Sequence, residues 1–207
     1  ELEEYTDSLS KELDRADRVA QVLTQLKSPE VTDFLKKPIG FAVIDTPPSL
    51  GIYTQNALVA SDHILVPMML NKHAMLGLTN FQRLVSKTRR YMKSERKPSV
   101  IGYVLVAYDR RVNLHLTLET TLKQLLFDQL FENNIPTRAK FVENISRRRS
   151  IFYQTKNTDK EIIYTFLQEL YFRMGYYTRE EYEKKLTEVK ELFSIAEGQD
   201  SGDDTDD

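Results

Sequence analysis

At 207 residues the chain is long enough to bury a sizeable core, and 41% apolar content without a run of about 18 apolar residues points to a globular fold, with neither export nor membrane insertion expected. The absence of cysteine excludes a thiolate-held iron–sulfur cluster. A formal net charge of −2 hides a segregation: residues 1–82 carry 7 basic and 11 acidic side chains, 83–150 carry 15 and 6, and 151–207 carry 7 and 14.

In chain order, residues 8–27 predict a helix with Leu13, Val19, Val22, Leu23 and Leu26 as its apolar stripe, stopped by Pro29. A second short helix is expected over 30–34. Phe41, Ala42, Val43 and Ile44 are continuously apolar, the pattern of a parallel strand covered on both faces, and the run ends in Asp45. Pro47 and Pro48 cannot continue a ladder and turn the chain out, and Ser49 is placed to cap a helix over 50–60. A carboxylate at the carboxyl end of such a strand lies where open α/β sheets bind ligands, and it can hold the water shell of a magnesium ion. The plainer alternative is that Asp45 caps a turn.

A second strand is predicted over 63–67. It leads into a helix ending near Met92, with Met75, Leu78, Phe81, Leu84 and Val85 inward and Arg83, Lys87 and Arg90 outward. A third strand follows over 100–107, then a helix over 116–131 with Leu122, Leu125, Leu126 and Leu130 as its buried stripe, then an extended piece near Pro136. Strands alternating with helices of these lengths imply right-handed crossovers and an α/β fold, a parallel sheet flanked by helices. Ile162, Ile163, Phe166, Leu167 and Leu170 mark a helix packed back on the sheet. Beyond Gly175, Tyr182, Leu186, Val189 and Phe193 mark an extra C-terminal helix over 175–196, expected to pack on the same domain. Residues 197–207, EGQDSGDDTDD, lack apolar side chains and are expected to be disordered.

The basic excess of 83–150 gathers at Arg110 and Arg111, at Arg138 and Lys140, and at Arg147, Arg148 and Arg149. Such a set can neutralise nucleic-acid phosphates, or it is simply a solvated face. His63, His73 and His115 have no partners at metal-ligand spacing, so neither a metal site nor a catalytic triad is expected. Most of the eleven tyrosines and ten phenylalanines fall on helical stripes and belong to the core.

The run FAVIDTPPSLG over 41–51 resembles the Walker B segment of the ParA/MinD family of deviant Walker ATPases. Four more segments resemble the same family in the same order: GIYTQNALVASDHILVPM, NKHAMLGL, IGYVLVAYDRRVNL, and IPTRAKFVENISRRRSIF, whose family counterpart sets a glutamate before a short helix. The resemblance covers residues 1–174 and implies a P-loop fold of the deviant Walker type, with ATP and Mg2+ as cofactors. It places Asp45 at the magnesium shell, Pro47 and Pro48 beside it, and Pro136, Thr137 and Asn144 on the adenine side. It further implies a homodimer binding nonspecific double-stranded DNA through the basic residues, a ParB-like centromere-binding partner, and a cytoplasmic, nucleoid-associated protein that segregates plasmid or chromosomal DNA.

No Gly-Lys-Ser/Thr sequence occurs, and the seven glycines are scattered. The chain is therefore expected to be the C-terminal portion of a longer ATPase, not competent for hydrolysis alone. A non-enzymatic DNA-binding scaffold from a degenerate ATPase is the alternative. A MinD-like membrane-cycling enzyme fits less well, because the C-terminus is acidic.

Overall fold

The computed structural model describes residues 17–92 and 97–200, and its first helix, α1 (Arg18–Gln25), occupies the second half of the predicted 8–27 segment. The preceding part of that segment lies outside the described residues. Ser28 caps α2 (Pro29–Leu35): its Oγ accepts a hydrogen bond from the Val31 amide at 3.4 Å, and Pro29 supplies a pre-set φ in the first turn. The chain leaves α2 through Lys36 in the left-handed region, φ 56°.

Residues 41–44 do not form the predicted strand. Phe41 is 51% exposed and Val43 94% exposed, and the segment has no regular secondary structure. A strand exists only through its ladder partners, and the sheet built by the described residues is ordered without this segment. Ser49 is not a helix cap either. The next helix, α3 (Ile52–Ala60), has Gly51 at its N-cap, while the Ser49 carbonyl accepts a hydrogen bond from the Thr54 hydroxyl.

The remaining elements follow in the predicted alternation: β1 (His63–Met69), α4 (Ala74–Tyr91), β2 (Ser99–Tyr108), α5 (Asn113–Leu126), a 3-10 turn (Phe127–Gln129), β3 (Ile135–Pro136), α6 (Ala139–Ser146), α7 (Asn157–Arg173) and α8 (Arg179–Asp200). The three strands form one parallel sheet of order β1-β2-β3. Pro67 lies in β1, an edge strand of the sheet built by the described residues, the setting in which a strand proline is usually found. At Gly102 in β2, φ is 156°, and an added Cβ would meet the Phe131 ring at 2.6 Å and the Gln129 carbonyl at 2.8 Å. Only glycine lets the chain beyond the 3-10 turn pass this close.

The described residues form two bodies. One comprises residues 17–64, 75–92 and 97–100. Within it the Val19 amide donates to Asn56 Oδ1 at 3.4 Å, tying α1 to α3, and Leu58, Leu78 and Val85 are buried. Arg83, Lys87 and Arg90 are exposed along α4 as predicted.

The other body comprises residues 65–74 and 101–200. Its core joins Val104 of β2, Phe131 and Phe166 of α7, with Leu65, Val106, Ile135, Leu167 and Leu170 packed around them. Leu122, Leu126 and Leu130 are buried, but Leu125 is 56% exposed. The reason is that α5 ends at Leu126, where Phe127 takes φ 48° and breaks the predicted continuous helix. The buried line of α5 follows Leu122 and Leu126, and Leu125 falls off it.

α8 packs along α7 as predicted. Phe172 stacks on Tyr182 at 4.8 Å between ring centroids, and Tyr164 lies 5.5 Å from Phe193. The helix begins with a capping box: the Glu181 amide donates to Thr178 Oγ1 at 3.3 Å and the Thr178 amide to Glu181 Oε2 at 2.8 Å. It continues past 196, the expected start of the acidic tail, to Asp200, because each added residue completes one more backbone bond once the packed turns exist. Residues 201–207 lie outside the described residues.

Candidate functional site

The carboxyl ends of β2 and β3 leave the sheet side by side. Tyr108 is in register with Pro136, and the Thr137 amide donates to the Tyr108 carbonyl at 3.4 Å. Two basic groups separated in sequence, Arg110 with Arg111 and Arg138, therefore emerge at one edge. Arg111 closes on Asp109 through its amide, Nε and Nη2 at 2.9, 3.0 and 2.7 Å. The Arg111 hydrogen bonds hold the Asp109 carboxyl well below the usual carboxylate range. Arg138 pairs with Asp159 in the first turn of α7. Both arginines thus have their charge countered locally.

Behind this edge, the Tyr108 hydroxyl donates to Glu119, and burial followed by the Glu119 carboxylate pushes the phenol pKa up. Burial also pushes Glu119 up, but hydrogen bonds from Lys123 and Tyr108 outweigh it and leave that carboxyl below its ordinary value. His115 stacks on Tyr108 at 6.0 Å, and its Nδ1 accepts the Asp109 amide at 3.1 Å. Lys123 and Glu119 are four residues apart on one helix, but the contacts of Tyr108 with Glu119 and His115 are not evident in the linear spacing. Tyr108 meets both because α5 folds back beside the end of β2.

α6 carries the second basic group. Glu143 lies within this helix, not before it as the resemblance implied, and receives Lys140 and Arg147, each at 3.2 Å. The Lys140 hydrogen bond leads in holding the Glu143 carboxyl below its ordinary value. Arg147 ends α6, and Arg148 follows in the left-handed region at φ 54°. The Arg149 amide donates to the Asn144 carbonyl at 2.8 Å, and its guanidinium lies 4.6 Å from the centre of the Tyr153 ring. Arg147, Arg148 and Arg149 are exposed, and the last two form no ion pair among the described residues.

Asp45, Pro47 and Pro48 belong to the first body and are exposed; Pro136, Thr137 and Asn144 belong to the second. Asp45 has no hydrogen-bond or ion-pair partner among the described residues, so its carboxylate is available. Magnesium takes one or two carboxylates and completes its octahedron with water and phosphate. Among the described residues no three metal-ligating side chains gather. Thr137 is exposed and Pro136 half-buried. Asn144 differs: it is 1% exposed, and its Nδ2 donates to Tyr153 O at 2.9 Å and to Ile151 O and Thr155 Oγ1 at 3.4 Å. This leaves its amide no donor for a base.

Sequence reasoning missed Glu169 and Arg173 of α7. Glu169, 2% exposed, accepts the Glu132 and Asn133 amides and Asn133 Nδ2 at 2.8–3.1 Å. Arg173 binds Glu169 at 2.8 Å, donates to the carbonyls of Ile101, Asp128 and Leu130, and lies 4.3 Å above the Phe131 ring. The available signal was a Glu and an Arg four residues apart beside an apolar stripe.

A parallel sheet flanked by helices is the α/β architecture of P-loop NTPase-like proteins. Residues 2–97 match the family described as AAA domain. Sporulation initiation inhibitor protein Soj of Bacillus subtilis (strain 168) is 24% identical over 153 residues, 73% of this chain and 60% of that protein. Chromosome partitioning protein ParA of Caulobacter vibrioides (strain NA1000 / CB15N) is 30% identical over 106 residues, 51% of this chain and 39% of that protein. Chromosome-partitioning ATPase Soj of Treponema pallidum (strain Nichols) is 29% identical over 109 residues, 53% and 42% respectively. Over these segments the chain is similar to chromosome partitioning proteins of the ParA and Soj type. It spans between 36% and 60% of the length of the curated relatives it matches. Among the described residues no helix is long and apolar enough to cross a membrane.

Proposed function

We propose that this chain is the C-terminal portion of a DNA partition ATPase, which dimerises with ATP and Mg2+, binds double-stranded DNA without sequence preference, and releases it on hydrolysis. The observation that supports this function best is the exposed arginine turn 147–149 on a P-loop-type α/β fold whose relatives are named as chromosome partitioning proteins. Phosphate neutralisation by exposed Lys and Arg releases counterions and yields affinity without base readout. Asp45 orients the magnesium shell, while a glycine-rich loop supplied by further residues cradles the phosphates. A ParB-like centromere-binding protein is the partner, and the protein works in the cytoplasm at the nucleoid.

The test joins the chain to such a phosphate loop. There Asp45→Ala is expected to abolish magnesium-dependent ATP turnover with unchanged circular dichroism, and unaltered turnover would remove Asp45 from the mechanism. A non-enzymatic scaffold is distinguished by the same assay, since it binds duplex DNA but turns over no ATP even with Asp45 intact.

A further inference from the structure

We infer that Asn144 is a positioning residue for the arginine turn, holding 147–149 in the shape that presents them together. The inference rests on the proposed role of those arginines in DNA binding. Asn144 is almost wholly buried in α6, yet its side chain reaches across to the far limb of the turn and binds Ile151 O, Tyr153 O and Thr155 Oγ1. Its own carbonyl accepts the Arg149 amide at 2.8 Å. One residue therefore ties the turn at both limbs.

Thr155, also buried, completes the brace. Its hydroxyl donates to the Ile151 carbonyl and lies 3.3 Å from the Tyr153 carbonyl. The three acceptors around Nδ2 set the orientation of the Asn144 amide, since a carbonyl oxygen turned toward Ile151 O and Tyr153 O would be repelled.

The brace has a conformation to hold. Arg148 at φ 54° and Gln154 at φ 47° are both non-glycine residues in the left-handed region, one on each limb. The Ser150 carbonyl accepts the Tyr153 amide at 2.9 Å between them. Tyr153, fixed by its carbonyl bond to Asn144, offers its ring to Arg149. In a turn held this way three guanidinium groups are presented without the ordering cost that a mobile arginine loop meets on binding. These bonds account for the Nδ2 donors of the buried asparagine, while its Oδ1 has no hydrogen-bond partner among the described residues.

The test uses the chain joined to a phosphate loop as above, with ATP and Mg2+, and a mixed-sequence DNA duplex, with binding followed by fluorescence anisotropy at several salt concentrations. Replacing Arg147, Arg148 and Arg149 by Ala is expected to reduce the slope of log K against log salt by about 2–3, one for each lost phosphate contact. Asn144→Ala, which removes no charge, is expected to weaken binding by about three- to tenfold and to reduce the slope by about 1, as the arginines cease to bind together. Thr155→Val is expected to act in the same direction and Thr155→Ser to bind like the unaltered chain. A merely structural defect lowers the melting temperature or the folded fraction without changing the salt slope.

If Asn144→Ala fails to fold, the Thr155 pair carries the test. Wild-type affinity and slope in Asn144→Ala and Thr155→Val, with the triple arginine variant weakened, would overturn the positioning role and leave the DNA-binding function standing. Unweakened binding by the triple arginine variant would overturn both.

Discussion

Glu169 is a buried carboxylate on an otherwise apolar helix face, and its cost is met by three N–H donors from 132–133 and by the Arg173 guanidinium. A buried pair contributes modestly when intact but leaves an uncompensated charge when one partner is removed. Arg173→Met keeps most of the side-chain volume over Phe131 yet strands the Glu169 charge and three carbonyl acceptors. It is expected to lower unfolding free energy by about 3–5 kcal/mol in urea denaturation. A loss below about 1 kcal/mol would show that the amide donors alone satisfy Glu169. The identities of both residues are plain in the sequence, but their charges give no sign of burial, because that depends on residues 101 and 128–133 reaching the same face of α7.

At the scale of the element, α8 shows how a local signal and a tertiary contact combine. Tyr182, Leu186, Val189 and Phe193 mark its buried face, and the Thr178/Glu181 reciprocal bonds start it. Thr178→Ala is expected to cost about 1 kcal/mol, measured by thermal or urea unfolding, because a first-turn amide loses its acceptor. The backbone bond from Thr178, the larger influence, and the Thr178 hydroxyl hold the Glu181 carboxyl below the ordinary glutamate value of 4.5. A depressed folded pKa means that the Glu181 contribution is complete above the ordinary value and is lost as pH falls through the lower, folded one. In Thr178→Ala the acid-induced drop in stability should shrink, and a pH profile parallel to that of the unaltered chain would contradict this.

Other elements separate what was legible from what was not. The periodicity of α4, α7 and α8 identified their buried faces, since a helix carries its own hydrogen bonds and needs only one apolar stripe. Residues 41–44 have the composition of a buried strand but lack its neighbours, so composition alone misplaces them. Phe127 is the reverse case. Nothing in its side chain announces φ 48°, and the close passage past Gly102 decides it.

At the scale of the molecule, the body formed by 65–74 and 101–200 depends on one cluster in which Val104, Phe131 and Phe166 join β2, the segment after the 3-10 turn and α7. Phe131 and Phe166 meet at 5.5 Å with rings tilted by 39°. Phe166→Ala is expected to cost about 3–5 kcal/mol, from lost transfer and cavity terms together. Hydrogen exchange should then accelerate in β2, α7 and α8 together, whereas acceleration confined to α7 would mean that the cluster does not unite the body.

The sequence by itself determined the α/β class, the alternation of strands and helices from β1 onward and the inward face of most helices, because these rest on periodicity read within a single segment. Only the tertiary structure decided which charges are committed and which are available. Arg111 and Arg138 look equivalent to Arg148 and Arg149 in the chain, yet the first two are closed on Asp109 and Asp159, and the last two project from a braced turn without an acid partner among the described residues. The same holds for Asn144, whose burial and three acceptors are not visible in the chain. Charge and polarity are properties of a residue, but their availability is a property of its neighbours, and neighbours distant in sequence are supplied by the fold.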